Sequence, residues 1–307
     1  MSDRGSGPVR RSERTTGLLY GVAAYGLWGL MPLYIKAVSA APALEVLAHR
    51  VVWAFLLLLL FCAQQGQLGA LRGALRHRRT FVAMVASAAL IGVNWLVYIW
   101  AVMNGRVLES SLGYYVNPLV NVLLGVLVLR ERLERPVRVA VAFAAAGVLW
   151  MGVQAGHPPW IALTLAAAFG LYGLMRKIAP VGSLVGLTVE TALMLPAALG
   201  LLAWRVATER AAFLAGRPGL DVLLVLAGPV TAIPLLLFAG AARRLPLTTL
   251  GFLQYLSPTL QFLLAVLVYG EPFGRANAVA FALIWTALAI FAAHSARRGQ
   301  PEPVTDV

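Results

Sequence analysis

One apolar stretch of this chain is written twice. Residues 112–131 read LGYYVNPLVNVLLGVLVLRE, and residues 250–271 read LGFLQYLSPTLQFLLAVLVYGE. Each copy opens on Leu-Gly after a hydroxyl pair (Ser110 and Ser111, Thr248 and Thr249). Each places a proline, Pro118 or Pro258, thirteen residues before a closing glutamate, Glu131 or Glu271. A second echo pairs AYGLWGLM at 24–31 with AFGLYGLM at 168–175. The three offsets are 144, 138 and 140 residues. Nearly constant spacing at that length means two copies of one half-molecule, and a fold assignment has to respect it.

A net charge of +13 and a pI near 10.8 would suggest a nucleic-acid partner in a water-soluble protein. Here 60% of residues are hydrophobic, 12% are charged and the mean hydropathy is +0.81. A water-soluble domain of 307 residues has no interior for that much apolar surface. Runs of about twenty apolar residues recur, the length that crosses a bilayer core. The basic excess then belongs to loops, and nucleic acid is set aside. The single cysteine, Cys62, lies in an apolar run, so no disulfide forms within the chain.

The expected fold is an all-α integral membrane protein with ten transmembrane helices. The spans are expected near 17–35, 43–63, 80–103, 108–129 and 137–154, then 159–175, 184–204, 220–240, 247–269 and 276–294. The domains are a disordered basic tail at 1–16, a first five-helix repeat at 17–154, a second at 155–294 and a tail at 295–307. The first span exceeds a signal-peptide core and carries the repeat, so it is read as retained. With the N-terminus inside, eighteen of the 25 lysines and arginines fall on the inner side, which predicts both termini in the cytoplasm. The dissenting loop holds Arg205, Arg210 and Arg217 outside. Five spans per copy is odd, so the copies enter the membrane in opposite senses. Inverted repeats of this kind are one route to alternating access.

Ionised side chains inside a bilayer cost roughly 2.5–3.5 kcal/mol each on insertion scales, so those present need a reason. Arg50 lies two turns into the second span beside His49 and before Trp53, and Glu190 holds the equivalent place 140 residues on. Three roles are open for this pair: partners lining or gating a cavity, an ion pair locking the halves, or Arg50 reaching the outer interface. His49 and Glu190 are candidates to carry coupling protons. The other histidines sit near span ends without ligand spacing, so no metal site is expected.

Further candidates for cavity lining are Asn94, Trp95 and Tyr98 in the third span, and Tyr114, Tyr115 and Asn117 in the fourth. Gln254 and Tyr255 match the latter set in the ninth span, and Tyr25, Trp28 and Tyr172 come from the AYGLWGLM echo. Asn121 and Gln261 are better read as interhelical hydrogen bonding. Glu131 and Glu271 read as an ion pair or cap at a helix end.

Four segments, HRVVW at 49–53, IGVNWLVYIWAV at 91–102, ESSLGYYVNPL at 109–119 and LGFLQYLSPTLQFLLAV at 250–266, resemble RarD-type permeases. These form part of the EamA branch of the drug/metabolite transporter superfamily. The resemblance covers about residues 15–293 and departs at Arg130, where glycine is the family pattern. It implies ten helices in two inverted halves, the bacterial inner membrane, and secondary transport or efflux; no cofactor is expected. The expected function is transport of a small organic solute, an amphipathic or aromatic metabolite or a drug such as chloramphenicol. A non-transporting membrane scaffold is the alternative. An intramembrane enzyme would need a nucleophile with its base, or paired carboxylates, and the spans offer neither.

Overall fold

The computed structural model describes residues 8–129, 134–179, 181–245 and 247–297. Within them the regular structure is helical: α1 (Pro8–Gly29), α2 (Met31–Ala37), α3 (Ala43–Gln64), α4 (Leu68–Arg76), α5 (Arg78–Met103), α6 (Val107–Leu129) and α7 (Arg135–Ala155). There follow α8 (Trp160–Ile178), α9 (Ser183–Ala207), α10 (Pro218–Ala242), α11 (Leu247–Leu253), α12 (Leu256–Leu263), a π-helical turn at Leu264–Val268, and α13 (Arg275–Arg297). Among the described residues, eight helical stretches are long and apolar enough to cross a membrane, and Trp160–Arg176 is a shorter apolar helix.

Three local features differ from the sequence expectation. The first helix begins at Pro8, inside the stretch expected to be a disordered tail, and Glu13 there pairs with Arg244 at 3.0 Å. The helix α4 was expected as loop; its Leu71 and Ala74 pack into a small cluster with Cys62 and Val189 while its arginines stay out. The ninth span is broken at Gln254–Tyr255, because Pro258 in the first turn of α12 has no N–H to return to the Gln254 carbonyl. Pro118, its counterpart in the repeat, lies inside an uninterrupted α6. Residues 1–7, Arg130, Glu131 and 298–307 fall outside the described residues, as does the side chain of Asn121.

The principal packing partners are α7 with α13, α8 with both α5 and α6, α3 with both α9 and α10, and α1 with both α10 and α12. Helices α5 and α9, and α6 and α12, also touch. Small residues permit close approach where lipid offers no hydrophobic push between helices. A Cβ at Gly228 of α10 would stand 2.7 Å from the Trp53 carbonyl oxygen of α3, so the two backbones cross in contact there. The outward surface is apolar instead of polar, with Leu19, Leu149, Val153 and Leu267 among the exposed side chains. In water such a surface would aggregate; against lipid it is the stable arrangement.

Two contacts fix the antiparallel register of α3 against α9. Glu45 near the start of α3 pairs with Arg205 near the end of α9 at 2.6 Å. Cys62 Sγ near the end of α3 lies 3.3 Å from Thr188 Oγ1 near the start of α9. Glu45 thus marks the far end of the bundle and α4 the near end.

Candidate functional site

Arg50 comes from the second turn of α3 and is 6% exposed. Its guanidinium carbon lies 4.3 Å from the centre of the Trp95 ring of α5, a cation–π contact. The phenols of Tyr34, Tyr98 and Tyr114 stand within electrostatic reach of it. Tyr98 and Tyr114 meet edge to face at 5.7 Å. Tyr114 donates its hydroxyl proton to Asn94 Oδ1 (3.2 Å), and Asn94 Nδ2 donates to the Leu165 carbonyl of α8 (3.2 Å). Five of the expected residues, Arg50, Asn94, Trp95, Tyr98 and Tyr114, therefore form one contiguous group.

The group continues toward the near end through rings. Tyr114 meets Phe169 at 6.2 Å, Phe169 meets Tyr172 at 5.9 Å, and the Tyr172 hydroxyl donates to Glu190 Oε2 at 3.4 Å. Glu190 is fully buried; Ser87 donates to its Oε1 at 2.5 Å, and Arg176 Nη1 stands 3.6 Å away. Gly186, one turn before Glu190, makes that approach possible. A Cβ there would fall inside the Arg176 guanidinium. Arg176 also donates to the Gly182 carbonyl at 3.3 Å, beside a cleft lined by Ala70, Gly73, Thr80 and Val185.

Arg50 and Glu190 do not pair. The α3–α9 register places Arg50 at the level of Gly200 and Glu190 at the level of Leu60, ten residues apart. At 1.5 Å per residue that is about 15 Å along the axis, beyond the reach of either side chain. Equal positions in two antiparallel helices meet only at mid-height, and these two lie on opposite sides of it.

The remaining expected residues lie elsewhere. His49 accepts a hydrogen bond from Trp53 Nε1 on its Nδ1 (3.2 Å) and packs 4.7 Å from the Phe213 ring. Tyr25 and Trp28 form a separate aromatic set with Phe238 of α10, at 5.9 and 5.8 Å. The Tyr115 hydroxyl bonds Thr259 Oγ1 at 2.8 Å and its ring faces Phe281 and Trp285, away from Arg50. Asn117 is buried with its Oδ1 unpartnered. Gln254 and Tyr255 sit at the break between α11 and α12, both partly exposed, and Tyr255 packs on the main apolar cluster. Gln261 Nε2 donates to the Trp28 carbonyl at 3.2 Å, the interhelical bond expected of it.

The sequence reading passed over Glu45, which is fully buried and takes three partners. Besides Arg205, the N–H groups of Ala212 and Phe213 donate to its Oε1 at 2.7 and 3.1 Å. Two signals pointed to it: a lone carboxylate in the first turn of an apolar helix, and the arginine of the dissenting loop that needed neutralising. Glu271 takes the capping role, accepting from the N–H groups of Val107 (2.7 Å) and Leu108 (2.8 Å) at the start of α6. Burial pushes its carboxyl above the ordinary carboxylate range; those two bonds and Lys36 pull the other way.

Residues 15–153 match the family model described as the EamA-like transporter family. An uncharacterized transporter of Vibrio cholerae is 47% identical over 296 residues, 94% of this chain and 98% of that protein. The chain belongs to the EamA-like transporter family. It is similar within it to Protein RarD of Escherichia coli, 45% identical over 90% of this chain and 93% of that protein. A protein of Pseudomonas aeruginosa named chloramphenicol-sensitive protein RarD is 34% identical over 92% of this chain and 95% of its own. One solved crystal structure, 21% identical, superposes with a TM-score of 0.59 over 93% of this chain and 99% of that one, so the fold is shared. This EamA-family transporter is thus a RarD-like, multi-pass protein of the bacterial inner membrane, and its general role is transport.

Proposed function

We propose that this transporter carries a small organic solute by alternating access between two inverted five-helix halves, with both termini cytoplasmic. The observation that carries the reading is that the principal helix contacts recur when the halves are exchanged. Matching the spans in order, α1 and α2 correspond to α8, α3 to α9, α5 to α10, α6 to α11 and α12, and α7 to α13. The contact of α6 with α8 then becomes that of α12 with α1, and α5 with α8 becomes α10 with α1. The contact of α3 with α10 becomes that of α9 with α5, while α3–α9, α7–α13 and α6–α12 map onto themselves. A molecule whose halves are interchangeable in this way has two equivalent arrangements, one open to each side.

Helix lengths support ten spans. The 19 residues of α8 and the 23 of α6 measure about 28 and 34 Å at 1.5 Å per residue, against a core of about 30 Å. The group around Arg50 and Trp95 supplies a polar, aromatic lining on inward helix faces. Amphipathic or aromatic metabolites and drugs are the solute class this suits. Chloramphenicol, from the name of the Pseudomonas relative, is the neutral compound to test first. The experiment is counterflow in proteoliposomes: labelled solute should accumulate transiently against unlabelled internal solute, with and without an imposed pH gradient. Equal uptake into protein-free vesicles for every solute of this class would refute the reading. Accumulation that needs the gradient and is lost in Glu190→Gln would assign coupling protons to Glu190.

A further inference from the structure

Arg50 is the buried lysine or arginine without an acidic partner among the described residues. The acids of the helical bundle are engaged elsewhere. Glu45 holds Arg205, Glu190 holds Arg176 and Ser87, Glu109 stands 3.7 Å from Arg106, and Glu271 caps α6. Asp221 accepts from the N–H of Leu214 at 2.7 Å. No hydrogen bond leaves the Arg50 guanidinium to any described residue, and its buried Nε is without an acceptor. A guanidinium only 6% exposed, with its Nε unpartnered and no acid beside it, is what a structural arginine does not show. Beside it the Tyr98 hydroxyl is also buried without a partner, while that of Tyr114 is already given to Asn94.

We propose that Arg50 is the receptor for a carboxylate on the transported solute, with the Tyr98 hydroxyl as a second donor and the Trp95 and Tyr114 rings against the solute's apolar part. This rests on the carrier reading above and narrows its solute class. The planar guanidinium presents a fork of donors that matches a carboxylate in two parallel bonds. Its contact with the Trp95 ring, at 4.3 Å, holds the guanidinium in place before the solute arrives. An ammonium group finds no equivalent: the carboxylate nearest along the aromatic path, Glu190, is already held by Arg176, Ser87 and Tyr172. The site thus selects acids over amines and over neutral isosteres. Binding supplies the counter-charge the protein itself lacks at this depth.

The test uses the full-length protein in proteoliposomes at pH 7.5, with three matched sets. These are phenylacetate, phenylacetamide and phenethylamine; indole-3-acetate, its amide and tryptamine; and 4-hydroxyphenylacetate, its amide and tyramine, with chloramphenicol alongside. Protein-dependent uptake of at least one acid should exceed that of its amide and its amine tenfold or more. Arg50→Gln should abolish that preference, Arg50→Lys should retain part of it, and Tyr98→Phe should lower acid uptake severalfold. Thermal stabilisation of the wild-type protein by the acid and not by the amide gives the same answer without a variant. Uptake of amides, amines or chloramphenicol as fast as the acids, or acid uptake unchanged in Arg50→Gln, overturns the carboxylate assignment and leaves transport standing. Uptake of none of the ten overturns the assignment and counts against the carrier reading as well.

Discussion

Arg50 and Glu190 occupy the same place in two helices 140 residues apart in sequence and differ in almost every respect that matters. Each lies seven residues past the first residue of its helix, Ala43 or Ser183. Glu190 is saturated, with a hydroxyl, a phenol and a guanidinium on its two oxygens. Arg50 has an aromatic ring beneath it and no anion. Desolvating a charge costs several kcal/mol unless geometry repays it, and here one copy is repaid by its own chain and the other is not. An inverted repeat makes positions equivalent without making their surroundings identical. The saturated copy reads as a structural tie near one end of the bundle, and the unsaturated one as a place kept for something that comes and goes.

The largest test of this contrast is a pair of charge removals read as ligand-free stability. Arg176→Ala leaves Glu190 buried and uncompensated and should cost about 3–5 kcal/mol, the usual penalty for breaking a buried pair. Arg50→Gln removes a charge that has no partner and should leave ligand-free stability unchanged or higher, apart from a stacking contribution of up to about 2 kcal/mol. Denaturation in detergent compares them directly, and equal losses for both would erase the distinction. A smaller effect is expected from Gly186→Val, which puts a side chain where the Arg176 guanidinium passes. Overpacking there should cost about 1–3 kcal/mol, and most of that should vanish in an Arg176→Ala background. Smallest is Tyr172→Phe, which removes the longer of the two hydrogen bonds to Glu190, at 3.4 Å, and should cost under about 1 kcal/mol.

Eight membrane-spanning stretches were legible because a chain with 60% hydrophobic residues, broken by arginine-rich turns, leaves few other folds. The group around Trp95 was legible too, since Asn94, Tyr98 and Tyr114 are polar atoms in helices that lipid would penalise. What the sequence did not disclose was proximity. The 140-residue offset related Arg50 to Glu190 by position, and only the register set by Glu45–Arg205 and Cys62–Thr188 shows them about 15 Å apart. Arg176 falls just past the expected end of its span at residue 175, and nothing local says that Gly186 opens a path from it to Glu190. The dissenting loop has a similar explanation: Arg205, one of its three basic residues, is neutralised by Glu45 and contributes little free positive charge there. The helix α4 escaped notice because nine residues carry too short an apolar pattern to stand out from a basic loop.

The proposed equivalence of the two halves holds only if they run through the membrane in opposite senses. Impermeant thiol labelling in right-side-out and inverted vesicles measures this, with single cysteines in a Cys62→Ser background at Arg76 and at Arg210. These sit in the equivalent connections, α3 to α5 and α9 to α10. The cysteine replacing Arg76 should react only from the cytoplasmic side and that replacing Arg210 only from the opposite side. Reaction of both from one side would contradict the inverted repeat and everything built on it.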